Sequence, residues 1–132
     1  MEGLVAYITG AVPAGFPSPA LDHAQKRIDL NDELMPNSTS SFLIRVEGDS
    51  MINAFIPPQA LLVVDRSVRP QHGNIVLAVL DGEFTVKRLV KTHAGIFLAP
   101  ENPLYKPIHV KEEMNMVIWG VVTFIITDAR KV

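Results

Sequence analysis

The stretch NIVLAVLDGEFTVKRLV, residues 74–90, decides the fold class of this chain. Two runs rich in β-branched and aromatic residues flank Asp81-Gly82, a dipeptide typical of tight hairpin turns because both residues tolerate positive φ angles. The stretch therefore predicts an antiparallel β-hairpin whose two strands are joined at residues 81–82.

The strand pattern continues on both sides of this hairpin. From residue 42 onward, short apolar runs alternate with turns marked by proline or glycine, and no helical period of useful length follows residue 55. The further runs are FLIRVE (42–47), ALLVVD (60–65), GIFLAP (95–100) and MVIWGVVTFII (116–126). We therefore predict a mainly β, folded-over antiparallel domain over residues 41–132.

Residues 1–40 differ from this domain in composition. They show no strand pattern and contain four prolines, at positions 13, 17, 19 and 36. Pro19 could open a short helix that runs to Arg27. Leu30 and Leu34, four residues apart, could form one more helical turn. We predict an extended N-terminal arm over residues 1–40, although composition alone equally allows a terminus without any role.

Composition and charge narrow the functional classes. The formal net charge is −2 and the pI is about 6.0, which argues against direct, sequence-specific nucleic-acid binding. The absence of cysteine excludes a disulfide framework, a thiol nucleophile and a cysteine-ligated zinc site. The first residues lack a basic signal-peptide start, and the longest apolar run is too short to cross a bilayer. We expect a cytoplasmic protein that uses no membrane, metal ion or cofactor.

The motif GDSM, residues 48–51, raises the question of a serine nucleophile. It places Ser50 on a sharp turn after a predicted strand, where the hydroxyl is either part of a plain turn or an accessible nucleophile. The histidines, at positions 23, 72, 93 and 109, lie in predicted turns, in the arm or at a strand end, as ordinary surface residues do. Their placement argues against a Ser-His-Asp triad and leaves lysine as the base that could activate a serine.

Lys87 is the candidate base. Side chains alternate between the two faces of a strand, so Lys87 and Arg88 in EFTVKRLV (83–90) point to opposite sides of the sheet. A lysine accepts a proton only when burial has lowered its pKa and made it neutral. From this segment alone, the alternative is a solvated Lys87 beside an Arg88 that extends over the rim of the core.

Four motifs together resemble a known protein family. AGFPSPA (14–20), RIDLN (27–31), GDSM (48–51) and DGEFTVKRL (81–89) are similar in order and spacing to the UmuD proteins and their plasmid-borne MucA-type relatives. That peptidase group also contains the cleavage domain of LexA. The resemblance implies the β-rich fold of the LexA/UmuD peptidase type, which pairs as a homodimer.

The resemblance also implies roles for individual residues. Ser50 is similar to the family's nucleophile and Lys87 to its general base. The main-chain N–H groups of Asp49 and Ser50 are similar to its oxyanion hole. Ala14-Gly15 resembles the self-cleavage bond, although several relatives carry cysteine where this chain has Ala14.

The family's biology completes this expectation. Self-cleavage is stimulated by the RecA filament during the SOS response, and the trimmed dimer joins an UmuC-type polymerase for translesion synthesis. The resemblance therefore implies a self-cleaving serine peptidase that becomes a polymerase accessory subunit. Two alternatives stay open: a non-catalytic dimerisation module that has kept the motif by descent, and a LexA-like repressor fragment. A repressor needs a DNA-reading helix-turn-helix, which the proline-broken arm lacks.

Overall fold

The structure, a computed structural model, describes residues 3–8, 11–16 and 25–132. The chain forms two units, residues 1–36 and residues 37–132, and each is described by itself. No helix in the described ranges has the length and apolar character that crossing a membrane requires.

The first unit contains a two-stranded antiparallel sheet and one short helix. β1 (Leu4–Ile8) pairs with β2 (Gln25–Asp29), and α1 (Leu30–Leu34) follows β2 directly. Asp29 caps α1, because its carboxylate accepts a hydrogen bond from the Asn31 N–H at 2.9 Å. The predicted helical turn over Leu30–Leu34 is confirmed.

Two predictions for the N-terminal residues are wrong. We expected no strand before residue 40, whereas β1 and β2 form an antiparallel ladder. We also expected a helix from Pro19 to Arg27, but residues 25–27 belong to β2, and residues 17–24 lie outside the described part of the chain. The backbone groups of β2 pair with a distant segment, and such non-local pairing overrides the local helical preference.

The second unit contains one seven-stranded antiparallel sheet with the strand order β3-β4-β9-β5-β6-β7-β8. The strands are β3 (Ser41–Arg45), β4 (Leu61–Asp65), β5 (Ile75–Leu80), β6 (Glu83–Thr92), β7 (Gly95–Ala99), β8 (Ile108–Val110) and β9 (Met116–Ile126). Two single-turn 3₁₀ helices, Ile52–Ala54 and Ala129–Lys131, accompany the sheet. The predicted mainly β, antiparallel fold class is confirmed.

Asp81 and Gly82 form the turn between β5 and β6, as predicted. Their φ angles are 49° and 85°, which gives the turn the backbone hand that matches the twist of hairpin strands. Asp81 also bonds to the start of β9: its N–H donates to the Asn115 carbonyl at 2.9 Å, and its carboxylate accepts from the Asn115 N–H at 3.0 Å. The closed end of the hairpin that carries Lys87 is therefore tied to a second strand.

β9 connects the two halves of the sheet and bends between them. Its first half pairs with β5 and its second half with β4, and each ladder skips one β9 residue, Trp119 and Thr123 respectively. Such bulges increase the bend and twist of a strand. Gly120, beside the first bulge, permits a close approach, since a Cβ there would lie 2.5 Å from Val64 Cγ1.

One core cluster lies beneath the turn that carries Ser50. Met51 is 2% exposed and Ile56 fully buried, and both pack against side chains of β4 and β5. Burial of such side chains stabilises a fold by about 1.5–3 kcal/mol each. Met51, the residue directly after Ser50, therefore anchors the turn in the core. The second cluster contains Val76, Ala78, Leu89, Leu98 and Val121.

Candidate active site

Ser50 lies in a tight turn between β3 and the first 3₁₀ helix. Gly48 opens this turn with a φ of 80°, at which a Cβ would be strained. No other atom lies within 4 Å of where that Cβ would be, so the backbone angle alone requires glycine. The half-buried Ser50 and the buried Met51 both line a cleft beside the turn.

Lys87 reaches Ser50 from β6. Its Nζ lies 3.2 Å from Ser50 Oγ, although 37 residues separate the two positions in the chain. The same Nζ donates to Thr85 Oγ1 at 2.8 Å and to the Val86 carbonyl at 3.1 Å. The structure thus brings together the two residues that the sequence singled out, and the alternative of a solvated Lys87 does not hold.

Burial lowers the pKa of Lys87 below its ordinary value of 10.5, because desolvation disfavours the charged amine. A nearby carboxylate would oppose this effect by stabilising the cation. In the described part of the chain, the ion pairs are Arg88 with Glu101 and Arg130 with Asp128, so no carboxylate pairs with Lys87. No paired carboxylate therefore opposes the desolvation, which favours the neutral amine.

Lys87 Nζ is the donor in all three of its hydrogen bonds, which use the three N–H groups of the charged amine. A neutral amine has two N–H donors and one lone pair. When Thr85 Oγ1 and the Val86 carbonyl keep the two N–H groups, the lone pair of the neutral amine is left for the proton of Ser50 Oγ. The arrangement can therefore remove a proton from Ser50, the first requirement of a serine nucleophile.

Thr85 is a residue that the sequence reasoning missed. It precedes Lys87 by two positions on β6, and the strand period of two puts both side chains on the same face. That spacing was the available signal, since a hydroxyl on the same face as a candidate base is its nearest possible partner.

Arg88 projects from the opposite face of β6, as predicted from the strand period. Its guanidinium pairs with the Glu101 carboxylate and donates to the Gly73 carbonyl at 2.6 Å. The main chain of Glu101 also contacts the turn that carries Ser50, because its N–H donates to the Ser50 carbonyl at 2.8 Å. Arg88 thus holds the loop after β7 against the turn that carries Ser50.

Asp49 receives two further contacts from the loop after β7. Asn102, which is 9% exposed, donates through Nδ2 to the Asp49 carbonyl at 2.9 Å. The Tyr105 hydroxyl donates to the Asp49 carboxylate at 2.6 Å, and this hydrogen bond raises the pKa of Tyr105 above its ordinary value of 10.0. Neither residue was identified from the sequence, because contacts across 53 and 56 positions follow no local pattern.

The main-chain N–H groups of Asp49 and Ser50 are the predicted oxyanion donors. Within the described residues, neither group donates a hydrogen bond, whereas the Asp49 carbonyl accepts two and the Ser50 carbonyl accepts one. Free N–H groups beside a serine hydroxyl can stabilise an oxyanion if they point to the place where it forms.

The cleft that contains Ser50 and Lys87 has a volume of about 510 Å³. β3 and the first half of β6 line it, together with Trp119. Phe42 and Phe84 make edge-to-face contacts with Trp119, with ring centroids 4.9 Å and 6.0 Å from its own. The cleft therefore combines an apolar aromatic wall with two polar groups in direct contact.

Ala14 and Gly15 belong to the first unit. Both are exposed and lie outside helices and strands. Their neighbours Val12 and Phe16 are 80% and 93% exposed, respectively. An exposed backbone without regular structure is the kind of segment that peptidases cut.

The histidines in the described part of the chain are surface residues. His72, His93 and His109 are all exposed, and no cluster of metal-ligating side chains occurs among the described residues. The surface interpretation is confirmed for these three, while His23 lies outside the described ranges.

Several known proteins are similar to this chain over most of their length. Protein ImpA of Escherichia coli is 41% identical over 119 residues, which cover 89% of this chain and 80% of the relative. Protein SamA of Salmonella typhimurium strain LT2 is 42% identical over 130 residues, covering 98% and 90%. Protein MucA of Escherichia coli is 37% identical over 113 residues, covering 85% and 77%. The resemblance to UmuD and MucA-type proteins is thereby confirmed. Since the Peptidase S24-like family matches residues 6–123, the chain belongs to this family of serine peptidases.

Proposed function

We propose that the protein is a serine endopeptidase that cuts its own Ala14-Gly15 bond, with Ser50 as nucleophile and Lys87 as general base. The observation that carries this proposal is the 3.2 Å contact between Lys87 Nζ and Ser50 Oγ. A surface lysine extends into water or pairs with a carboxylate. Lys87 instead directs its amine at a hydroxyl inside a cleft, where burial lowers its pKa.

The reaction begins when neutral Lys87 takes the proton of Ser50 Oγ, which attacks the Ala14 carbonyl carbon. The N–H groups of Asp49 and Ser50 stabilise the negative charge on the carbonyl oxygen. Lys87 then donates its proton to the nitrogen of Gly15, and the C–N bond breaks. The again neutral Lys87 deprotonates a water molecule, which attacks the ester on Ser50. As the ester bond breaks, Lys87 returns this proton to Ser50 Oγ, and residues 1–14 leave with the Ala14 carboxylate.

The chemistry of the arm suits such a cleft. Ala14 and Gly15 have the smallest side chains, so the bond between them can approach a recessed hydroxyl. Pro13 and Pro17 bias the residues before them towards extended conformations. β3 is an edge strand of the sheet and lines the cleft, so an extended segment can pair with it through main-chain hydrogen bonds.

Tethering of the arm to the peptidase domain explains how a segment with low affinity for the cleft can be cleaved. The bond belongs to the same chain as the enzyme, which gives it a high effective concentration and reduces the need for affinity. Two equilibria then limit the rate: docking of the arm and deprotonation of Lys87. A RecA filament that stabilises the docked arm would accelerate cleavage without supplying any catalytic group.

We extend the proposal to the protein's partners. Residues 1–40 act as the substrate arm, and residues 41–132 form the peptidase and dimerisation domain. The trimmed homodimer serves as the accessory subunit of an UmuC-type error-prone polymerase in the cytoplasm, during the SOS response. Membership of the family and the 37% identity to protein MucA of Escherichia coli over 113 residues support this extension.

Incubation of the purified protein at increasing pH tests the activity. We expect a product that comprises residues 15–132, identified by intact mass, and faster cleavage as the pH rises and Lys87 loses its proton. Ser50→Ala and Lys87→Ala should stay intact. Lys91→Ala, which removes an exposed lysine from the same strand, is the matched control and should be cut at the wild-type rate.

Three results would contradict the proposal. Cleavage of Ser50→Ala at the same bond would exclude Ser50 as nucleophile. A rate that is flat or falls as the pH rises would exclude a lysine base. A wild type that stays intact at every pH would favour the non-catalytic dimerisation module.

A further inference from the structure

Asn102 is a buried polar side chain to which the proposed mechanism gives no task. In the described part of the chain, Asp65 and Asn102 are the two polar or charged residues that are buried. Asp65 bonds to Asn37, Ser40 and Ser67, outside the cleft lining. Asn102 instead bonds to the residue that directly precedes Ser50.

The contact fixes the orientation of one peptide group. In a trans peptide, the carbonyl and the N–H of the same plane point in opposite directions. Asn102 Nδ2 holds the Asp49 carbonyl at 2.9 Å, so the Ser50 N–H of that plane must point away from Asn102. The same carbonyl also accepts the Ile52 N–H at 3.3 Å, a longer contact within the turn itself.

The orientation of the Asn102 amide is itself determined by its partners. Nδ2 faces a carbonyl, which requires a donor, and Oδ1 accepts the Leu104 N–H at 3.0 Å, which requires an acceptor. A flipped amide would place Oδ1 against the Asp49 carbonyl, which is also an acceptor, and Nδ2 against the Leu104 N–H, which is also a donor. Asn102 therefore has both ends occupied and cannot turn away from the Asp49 carbonyl without losing two hydrogen bonds.

We propose that Asn102 is a positioning residue that aims the Ser50 N–H at the oxyanion by holding the Asp49–Ser50 peptide plane. The inference rests on the proposed function and adds to it the group that orients one oxyanion donor. Oxyanion donors accelerate a reaction when they are held in place before the charge develops. A second bond of this kind, from the Glu101 N–H to the Ser50 carbonyl at 2.8 Å, fixes the next peptide plane of the turn.

Asn102→Asp separates the two bonds of the side chain. A carboxylate still accepts the Leu104 N–H but cannot donate to the Asp49 carbonyl, and at the alkaline pH of the cleavage assay it is ionised. Asn102→Ser is the second variant, because a serine hydroxyl can accept from the N–H two residues on but is too short to reach Asp49. Thermal melting and circular dichroism identify the variants that are folded at the assay temperature.

We expect each folded variant to cut its Ala14-Gly15 bond about 10–100-fold more slowly than the wild type, somewhat less than the loss of a whole oxyanion donor. The pH at which the rate rises should not move in Asn102→Ser, because Lys87 and its three partners are untouched and the variant adds no charge. Asn74→Asp is the matched control, since Asn74 Oδ1 also accepts a main-chain N–H, that of Gln71 at 2.8 Å, outside the cleft lining. Its rate should equal that of the wild type.

Each other outcome refutes the positioning role. A wild-type rate in a folded Asn102 variant shows that the peptide plane needs no such support. A slower rate with a shifted pH midpoint in Asn102→Ser assigns the loss to the contact between Ser50 and Lys87, and unfolding of both variants assigns Asn102 to the fold. If the wild type itself stays intact, the proposed function is overturned. If the wild type is cut and the folded Asn102 variants are cut at the same rate, only the positioning role is refuted.

Discussion

Replacing Thr85 by valine tests how Lys87 is prepared to accept a proton. Valine keeps the β-branched shape that suits β6 and removes the hydroxyl oxygen that lies 2.8 Å from Lys87 Nζ. Thr85 lines the cleft and is half-buried, so no side chain needs to move to accommodate the change. The substitution should have two effects. At a pH below the pKa of Lys87, the first raises the cleavage rate and the second lowers it.

The first effect lowers the pKa of Lys87 further. Thr85 Oγ1 binds the charged amine more strongly than the neutral one, since hydrogen bonds to charged groups contribute about 1.5–3 kcal/mol and neutral ones about 1 kcal/mol. Screening by water in the open cleft reduces this difference to about 1 kcal/mol, which corresponds to a fall of just under one pKa unit. The pH midpoint of the cleavage rate should therefore move down by a similar amount.

The second effect lowers the limiting rate at high pH. Without Thr85 Oγ1, one N–H of the neutral amine has no fixed acceptor, and the lone pair is no longer held towards Ser50. The loss of one neutral hydrogen bond of about 1 kcal/mol lowers the limiting rate about fivefold.

The assay measures first-order self-cleavage between about pH 7 and pH 11 and fits the midpoint and the plateau separately. Thr123→Val is the control, because its hydroxyl lies on β9, outside the cleft lining, at 3.4 Å from the Val63 carbonyl. It should change neither quantity. A midpoint that rises in Thr85→Val, or a plateau equal to that of the wild type, would refute the role assigned to the hydroxyl.

Two further predictions concern stability and partner function. Lys87→Met, in a Ser50→Ala background that prevents cleavage, should have a higher free energy of unfolding at neutral pH. This difference in free energy of unfolding should shrink as the pH rises from the lowered folded-state pKa of Lys87 towards 10.5. In that range the folded protein with Lys87 has released a proton that its unfolded state keeps, so its stability rises with pH. Thermal melts in which the difference grows with pH would contradict the prediction. A chain that starts at Gly15 should support damage-induced mutagenesis with an UmuC-type polymerase without RecA-stimulated cleavage, and full-length Ser50→Ala should not; equal mutant counts would exclude cleavage as the activating step.

Local sequence signals predicted the strands and turns of the sheet but not which distant residues meet in the folded chain. The turn at Asp81-Gly82 depends on two adjacent residues whose backbone angles favour it, so its position was readable from the sequence. Ser50 and Lys87 are 37 residues apart; the placement of the histidines left lysine as the candidate base, and the resemblance to UmuD proteins strengthened the expectation that the two residues meet. Strand alternation did indicate correctly that Arg88 and Lys87 occupy opposite faces.

The predictions that failed concern pairing between distant segments. β1 and β2 pair through their backbones, from Leu4 opposite Asp29 to Ile8 opposite Gln25. Neither strand has the alternation of apolar and polar residues that marks a half-buried strand. The contact of Asn102 with Asp49 spans 53 positions and depends on how the loop after β7 is folded. Such contacts result from the tertiary structure and have no counterpart in local composition.

The place of β9 in the sheet bears on when the protein can act during its own synthesis. β3 and β4 pair with each other, as do β5 to β8, and these two groups of strands are joined only through β9. Ser50 follows the first group and Lys87 belongs to the second, so a nascent chain without β9 has no sheet that holds the two residues together. The ribosome adds β9 after both. Under the proposed mechanism, self-cleavage during translation must wait until β9 has joined the sheet, after the arm has already left the ribosome.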